Sequence, residues 1–230
     1  MKPIVNLGIF VADAAFRAAR IPKMGETILG KDFALGPGGK GSNQSVASAM
    51  AGGKVHFITR LGDDDFAAMA RGIWARAGVT PEVTVDSESF TGAAMIFLED
   101  ATGNNAIIVT PGAASRITPA DVEARASLIQ SAGIFMTQLE QPIPAAQRGL
   151  ELARAAGVTT ILNPAPAATL PDAMLQLCDY LTPNESEAEA LTGLPVTSVA
   201  EAKIAAAALL AKGVGAVVIT LGAQGALYHD

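Results

Sequence analysis

The densest group of residues able to do chemistry is a glycine-rich segment, residues 36–44, with the sequence GPGGKGSNQ. Its four glycines allow the backbone to turn sharply and leave the N–H groups uncovered by side chains. The helix predicted to begin at Ser42 directs further free N–H groups to the same place. Lys40 adds a positive charge and Asn43 adds an amide. Such a segment can bind hydroxyl groups, or oxygen atoms that gain negative charge during a reaction.

Two nucleotide-binding motifs compete for this segment. The P-loop motif requires Ser or Thr directly after its lysine, whereas Gly41 follows Lys40 here. The dinucleotide fingerprint Gly-x-Gly-x-x-Gly is met by Gly36, Gly38 and Gly41, and Asp63 lies 22 residues further on. That loop normally follows the first long buried strand, but the run before Gly36 is short and lies among alternating strands. Lys40 would also lie where a pyrophosphate approaches, so the dinucleotide interpretation is disfavoured. A simple glycine turn before a helix leaves Lys40 unexplained.

Short β-rich runs alternate with alanine-rich helical runs along most of the chain. Strands are predicted at residues 55–60, 133–137, 159–163, 180–182 and 216–220. Helices are predicted at residues 42–51, 65–77, 144–156, 185–192 and 199–212. A glycine follows four of these helices, where a left-handed C-terminal cap is favoured. The alternation predicts an α/β fold with a mostly parallel central sheet and helices on both faces.

Two stretches, residues 12–35 and 83–109, interrupt this alternation with short alternating runs and turn signals. They predict antiparallel strands set apart from the main sheet. We interpret them as a small β lid that two insertions form within a single domain spanning residues 1–230.

Polar residues follow several predicted strands of the main sheet: Glu140, Asn163, Asn184 and Thr220. Open α/β sheets bind ligands at the carboxyl edge of their strands, so we expect these residues in one site. Asn184 and Glu187 lie three residues apart at a predicted helix start, where they share one face and the positive end of the helix dipole. The same pair would also serve as an ordinary helix cap, and the spacing alone does not separate the two interpretations.

Composition and charge exclude other classes of function. The formal net charge is −6 and Lys and Arg form no cluster, which disfavours a nucleic-acid groove. Cys178 is the single cysteine, so no internal disulfide can form, and we expect this residue to pack in the core. No apolar run has the length of a secretory or membrane-spanning segment. These features predict a cytoplasmic protein with no nucleic-acid or membrane partner.

Several short motifs occur together in a fixed order. The most specific are residues 38–44 (GGKGSNQ) and 58–64 (ITRLGDD), accompanied by residues 25–27 (GET), 138–140 (QLE), 163–166 (NPAP), 182–187 (TPNESE) and 220–222 (TLG). On these motifs the sequence resembles the ribokinases, within the larger ribokinase-like carbohydrate kinase family, over essentially its whole length. The resemblance implies ATP-dependent phosphorylation of the primary hydroxyl of a pentose, with D-ribose to ribose 5-phosphate as the leading reaction.

The resemblance also implies two sets of site residues. The substrate would be bound by Asp13, Gly39, Lys40, Gly41, Asn43 and Glu140. The nucleotide would be bound by Asn184 and by the turn formed by Thr220, Leu221, Gly222, Ala223, Gln224 and Gly225. Glu187 would hold Mg²⁺ through water, with ATP as the co-substrate. Without the resemblance, Asp13 would be a solvated lid residue, Asn43 a helix cap and Glu140 a loop acid.

The catalytic aspartate base and a K⁺ site that the resemblance implies are expected beyond Asp230. No catalytic residue is therefore expected within residues 1–230, and we expect these residues alone to be inactive. A chain that ended at Asp230 would leave the last strand as an unpaired sheet edge, which favours aggregation.

One position departs from the family pattern. Val11 stands where ribokinases carry an asparagine two residues before the lid aspartate, which removes one hydrogen bond to the sugar. Another pentose, another sugar or a nucleoside is therefore an alternative acceptor, and a non-catalytic sugar-binding module is a further alternative. The lid is apolar at residues 93–98 and 107–109 and too short to cover both of its faces, so we expect a homodimer through the lid, as in ribokinases.

Overall fold

Within residues 2–230, the part of the chain that the computed structural model describes, the strands form two separate sheets. The strands are β1 (Ile4–Leu7), β2 (Val11–Ala18), β3 (Asp32–Gly38), β4 (Val55–Leu61), β5 (Val79–Val85), β6 (Thr91–Glu99), β7 (Asn105–Gly112), β8 (Ile134–Thr137), β9 (Thr159–Leu162), β10 (Tyr180–Leu181), β11 (Ala216–Thr220) and β12 (Ala226–His229). The helices are α1 (Lys40–Met50), α2 (Asp65–Ala77), α3 (Pro119–Glu123), α4 (Ala126–Ser131), α5 (Ile143–Ala155), α6 (Asp172–Leu175), α7 (Glu185–Thr192) and α8 (Val199–Ala211).

The large sheet confirms the predicted α/β class. Its strand order is β12-β11-β10-β9-β8-β1-β4-β5, and neighbouring strands run parallel except for the antiparallel pair β11 and β12. Strand order reverses around β1, which pairs with β4 on one side and with β8 on the other. In open α/β sheets the crevice for a ligand opens at such a reversal, beyond the carboxyl ends of the strands. The end of β1 and the end of β8 are therefore the expected walls of a site.

The small sheet has the order β3-β2-β6-β7. Its outer pairs, β2 with β3 and β6 with β7, are antiparallel hairpins, whereas the inner pair β2 and β6 is parallel. The expectation of antiparallel strands throughout was therefore wrong for the central pair. The physical reason is the origin of the hairpins: β2 follows β1 and β6 follows β5, two strands that point in the same direction.

The second lid segment begins later than the sequence indicated. Residues 83–85 complete β5, which pairs with β4 at the edge of the large sheet. The strand that enters the small sheet from this side begins at Thr91. Residues 83–85 resemble a lid strand in sequence because an edge strand of the large sheet is also exposed on one side.

Two side-chain clusters fix the elements that carry the site. On one face, Trp74 of α2 is fully buried and packs edge-on against Phe10 and Phe57 at ring distances of 5.7 and 5.1 Å. On the other, Gly149 allows α5 to lie directly on the ring of Phe135 in β8, because any Cβ at this position would overlap that ring. Helices on both faces thus hold the strand ends that project toward the crevice.

Cys178 packs in the core, where burial raises the pKa of its thiol to about 12, so that the thiol stays protonated at neutral pH. Across residues 2–230, no helix has both the length and the apolar character that crossing a membrane requires.

Candidate active site

Asp13 and the glycine segment form one wall of the crevice. Gly38 ends β3 beside Asp13, and a Cβ on Gly38 would overlap the Asp13 carboxylate. Gly39 precedes α1 with a φ of 87°, and a Cβ there would lie 2.5 Å from the carbonyl oxygen of Ile9. At Gly39 only glycine fits without strain, whereas a side chain at Gly38 would displace the Asp13 carboxylate. The close approach holds the Asp13 carboxylate directly against the backbone that leads into α1.

Glu140 joins this wall from a different strand. It lies in the loop after β8, and its Oε2 accepts a hydrogen bond of 2.6 Å from the backbone N–H of Lys40, the first residue of α1. A carboxylate at this place satisfies one of the free N–H groups of the helix start and is stabilised by the helix dipole. Segments far apart in the sequence, around Asp13, Lys40 and Glu140, therefore meet at one point.

The two carboxyl groups are held in an unfavourable electrostatic setting. Burial raises the pKa of Asp13. Burial is also the largest influence on Glu140; it raises the pKa of this group, and the nearby charge of Asp13 raises it further, while the backbone N–H and the ammonium group of Lys40 lower it. Each carboxylate lacks part of the hydration that it would have in water. Hydroxyl groups of a bound ligand would supply the missing hydrogen-bond donors.

The other predicted substrate residues lie at the start of α1. The side chain of Asn43 is exposed and has no hydrogen-bond partner among the described residues, so its amide is available to a ligand. Gly41 is buried, and a Cβ there would lie 2.7 Å from the Cα of Gly8. This glycine therefore serves the contact between α1 and the end of β1.

Asn184 and Glu187 form the helix cap that the sequence left open as an alternative. The Asn184 side chain accepts from the backbone N–H of Glu187 at 2.8 Å, and Glu187 Oε2 accepts from the backbone N–H of Asn184 at 2.9 Å. Asn184 also makes a parallel bridge to Thr220 at the end of β11. The pair thus has a structural role, and the same hydrogen bonds fix Glu187 at the start of α7, beside the end of β11.

The turn after Thr220 is a short 3₁₀ segment, Gly222–Gln224. The backbone N–H of Leu221 donates to the carbonyl oxygen of Gly225 at 2.8 Å and closes the turn. Gly222 and Gly225 have φ values of 52° and 94°, which other residues rarely adopt. Leu221 and Gln224 line a separate cavity of about 230 Å³.

A cavity of about 300 Å³ brings the two predicted sets together. Its lining includes Lys40 and Gln44 from α1, Asn163 after β9, Asn184 and Glu187 at the start of α7, and Thr220. Asp13, Asn43 and Glu140 do not line this cavity, and Glu140 is linked to it only through its hydrogen bond with the backbone N–H of Lys40. Of the predicted residues, Lys40 from the substrate set therefore meets Asn184, Glu187 and Thr220 from the nucleotide set in this cavity. Leu221 and Gln224 line the separate cavity instead.

The cavity confirms that Asn163 lies in one site with Asn184 and Thr220, as its position after a strand predicts. Gln44 and Gln138 occur in the sequence motifs, but no role was predicted for them. Asn6 was not considered at all, although one polar residue within the apolar run IVNL is a usable signal. Asn6 and Gln138 are both fully buried in the crevice region, with exposures of 1% and 0%.

Known proteins resemble this chain over its whole length. The sequence profile described as pfkB family carbohydrate kinase matches residues 1–230. The ribokinase of Staphylococcus aureus is 40% identical over 228 residues, which cover 98% of this chain and 74% of that protein. The deoxyribokinase of Salmonella typhimurium is 34% identical over 227 residues, covering 98% and 74% respectively. The structure of Arabidopsis thaliana ribokinase complexed with ribose and ATP superimposes with a TM-score of 0.86 at 30% identity, covering 99% of this chain and 74% of that one.

Proposed function

Because this chain belongs to the pfkB family of carbohydrate kinases, we propose that it transfers the γ-phosphoryl group of ATP to the primary hydroxyl of a pentose. D-Ribose, giving ribose 5-phosphate, is the leading acceptor. The family membership makes the chain a kinase, which argues against a non-catalytic sugar-binding module. The observation that best supports the proposal is the shared position of Lys40 between the carboxylate wall and the cavity with Asn184.

On the sugar side, Asp13 and Glu140 would accept hydrogen bonds from the hydroxyl groups of the acceptor. Asn43 would add an amide contact, and residues 39–41 would bring backbone close to the sugar. Phosphoryl transfer depends mainly on positioning and on stabilisation of spreading negative charge. Lys40 lies between the carboxylate wall and the cavity and would stabilise charge on the transferred group.

On the nucleotide side, Asn184 and the turn from Thr220 to Gly225 would bind ATP. Mg²⁺ would be held through water by Glu187 together with the phosphates of the nucleotide. The residues present fit this arrangement, because Mg²⁺ usually keeps several waters and needs only one or two protein carboxylates. Glu187 supplies one carboxylate, and no group of three potential metal ligands occurs among residues 2–230. When bound, the ion would neutralise charge on the phosphate oxygens.

A second acceptor is favoured by Val11. This residue is 4% exposed and lies on the same face of β2 as Asp13, because alternate strand residues share a face. Its apolar side chain offers no hydrogen bond to a hydroxyl, so a pentose that lacks one hydroxyl would lose little binding energy here. The relative in Salmonella typhimurium is named a deoxyribokinase. 2-Deoxy-D-ribose is therefore the alternative substrate.

The lid would mediate a homodimer. Its sheet exposes large apolar side chains on both faces, among them Phe16, Phe33, Ile107 and Ile108. A sheet of four strands with apolar residues on two faces is covered by its own domain on one side at most. A second copy of the lid would cover the other.

Coupled measurement of ADP release tests the proposed function, with D-ribose and 2-deoxy-D-ribose as acceptors and the full-length protein as enzyme. We expect sugar-dependent turnover, and the ratio of kcat/KM for the two sugars identifies the preferred acceptor. Asp13→Ala should raise the KM for sugar by about 10- to 100-fold, because a hydrogen bond to a charged group is lost, while the KM for ATP stays nearly unchanged. Absence of turnover with both pentoses would contradict the proposal, and equal effects of Asp13→Ala on both KM values would contradict its role.

A further inference from the structure

Four carboxamide side chains form a continuous chain of hydrogen bonds that leads from β1 to the cavity. They are Asn6 in β1, Gln138 after β8, Gln44 in α1 and Asn163 after β9. Asn6 and Gln138 are fully buried, and Gln44 and Asn163 are half-buried at the cavity wall. We call this set the amide relay.

The first end of the relay is fixed by backbone. The Asn6 Nδ2 donates to the carbonyl oxygen of Gly41 and to the hydroxyl of Ser45, both at 2.9 Å. A carbonyl oxygen can only accept, so the amide nitrogen of Asn6 must face α1 and its oxygen must face away. That oxygen accepts from Gln138 Nε2 at 2.9 Å. The second N–H of Gln138 Nε2 donates to Gln44 Oε1.

The other end of the relay is also fixed by backbone. Gln44 Nε2 donates to Asn163 Oδ1 at 3.4 Å, and Asn163 Nδ2 donates to the carbonyl oxygen of Thr182 at 2.8 Å. Each amide therefore has a single orientation, set by carbonyl groups at the two ends. In this orientation Gln44 and Asn163 line the cavity together with Lys40 and Asn184.

Gln138 also fixes the distance between α1 and the large sheet. Its Oε1 is buried, and no hydrogen-bond donor reaches it within the described part of the chain. The oxygen lies against Gly8 and Gly41, so close that a Cβ on Gly41 would be 2.9 Å away. An unpaired buried oxygen lowers stability. Gln141 carries the same cost, because its Oε1 is also buried and unpaired within residues 2–230. What distinguishes Gln138 is that its amide nitrogen joins Asn6 to Gln44.

We propose that Asn6 and Gln138 are positioning residues for phosphoryl transfer, and this inference rests on the proposed function. Through Gly41 and Gln44 they hold α1 and its Lys40 in place. Through Asn163 they fix the same helix relative to β9 and β10, which lead to Asn184. The relay thereby sets the distance between the bound acceptor and the bound nucleotide, without touching either reacting group.

Gln138→Met in the full-length protein tests this inference, since methionine fills a similar volume and cannot donate. Misplacing reacting groups by about 1 Å costs roughly 100-fold in rate, so we expect kcat to fall by about 10- to 100-fold. The separate Kd values of the acceptor pentose and of the non-hydrolysable analogue AMP-PNP should change less than about threefold, because the groups that bind each ligand remain.

A double variant separates positioning from stability. In Asn6→Leu/Gln138→Met both partners of the central hydrogen bond are replaced by apolar side chains, a change that leaves stability close to that of the parent. The hydroxyl of Ser45 still donates to the carbonyl oxygen of Gly41 at 2.8 Å, so that carbonyl keeps a partner. We expect the melting temperature to recover relative to Gln138→Met while kcat remains low. If kcat recovers together with the melting temperature, the relay is only structural and the inference fails.

Gln141 supplies a matched control. It is 2% exposed and lies in the same loop, but its amide donates only to the hydroxyl of Thr137 and to the carbonyl oxygen of Gln138. Gln141→Met should lower stability and leave kcat within about threefold of the parent. An equal loss of kcat in Gln141→Met would also overturn the inference. A parent protein that turns over neither pentose would instead contradict the proposed function, so the two failures are distinguishable.

Discussion

At the scale of single residues, Asp13 and Glu140 carry a stability cost that the proposed binding of a sugar would offset. Both carboxyl groups have raised pKa values because burial removes water from their charged forms. An acid whose pKa is higher in the folded than in the unfolded chain lowers the free energy of unfolding above that pKa. The folded protein thus carries two poorly hydrated carboxylates that a polyhydroxylated ligand would relieve.

The affinity for sugar should therefore depend on pH in a defined direction. The charged carboxylates accept hydrogen bonds, and their raised pKa values mean that they protonate at a higher pH than ordinary carboxyls. We expect the Kd for sugar to rise as the pH falls from neutral toward the ordinary carboxyl pKa of about 4, while the Kd for nucleotide changes little. Isothermal titration in a series of buffers measures both values. A Kd for sugar that is constant over this range would contradict the assignment.

Glu140→Gln is the matched variant for this titration. It keeps an oxygen for the backbone N–H of Lys40 and removes the charge, so sugar affinity should fall while the melting temperature of the free protein at neutral pH rises. The stability gain should shrink as the pH falls through the raised pKa of Glu140 toward its ordinary value, because the parent then becomes neutral as well.

At the scale of elements, α7 begins with two residues that cap the helix and also line the cavity proposed for the nucleotide. The capping box of Asn184 and Glu187 satisfies backbone N–H groups at the helix start, and it also turns Glu187 toward the cavity side of the sheet edge. The sequence alone left the cap and the nucleotide site as alternatives. The two are compatible.

Two substitutions at Asn184 separate these roles. Asn184→Ser keeps a side-chain oxygen for the cap, whereas Asn184→Ala removes it, which should lower the free energy of unfolding by about 1 kcal/mol. Both variants lose the amide, so both should weaken nucleotide binding. Chemical denaturation and nucleotide titration measure the two effects. Nucleotide affinity that follows stability, normal in Asn184→Ser and weak in Asn184→Ala, would assign the residue to the cap alone.

Elements with a strong local signal were predictable, and those defined by long-range pairing were not. The helices that end at a glycine and the apolar strands of the large sheet follow from local propensity and periodicity. The parallel pairing of β2 with β6 depends on the direction in which two distant hairpins leave the sheet. The amide relay was not predictable for the same reason, because Asn6 and Gln138 are 132 residues apart.

At the scale of the whole molecule, the lid is the least covered layer. Ile107 and Ile108 are successive residues of β7, which forms an edge of the small sheet, and they point to opposite faces with exposures of 51% and 64%. In the proposed dimer, one face of the small sheet would lie toward the crevice of its own domain, and the other face would pack against a second copy of the chain.

This pair of residues tests the proposed homodimer. We expect the full-length parent to be a dimer by light scattering at micromolar concentration. Ile107→Asp and Ile108→Asp should differ, with one variant becoming monomeric, because a charge buried in an apolar interface is costly. Each variant serves as the control for the other. A monomeric parent, or two variants that both remain dimeric, would contradict a dimer formed through the lid.

In the proposed reaction, one crevice holds a pentose and ATP so that the primary hydroxyl of the sugar receives the phosphoryl group. Proton-coupled ³¹P NMR of the product tests this most directly, with D-ribose and 2-deoxy-D-ribose each incubated with Mg-ATP and the full-length protein. We expect a phosphomonoester signal split by the two protons of the terminal CH₂ group. A signal coupled to a single ring proton, which would place the phosphate on the anomeric or another secondary carbon, would contradict it.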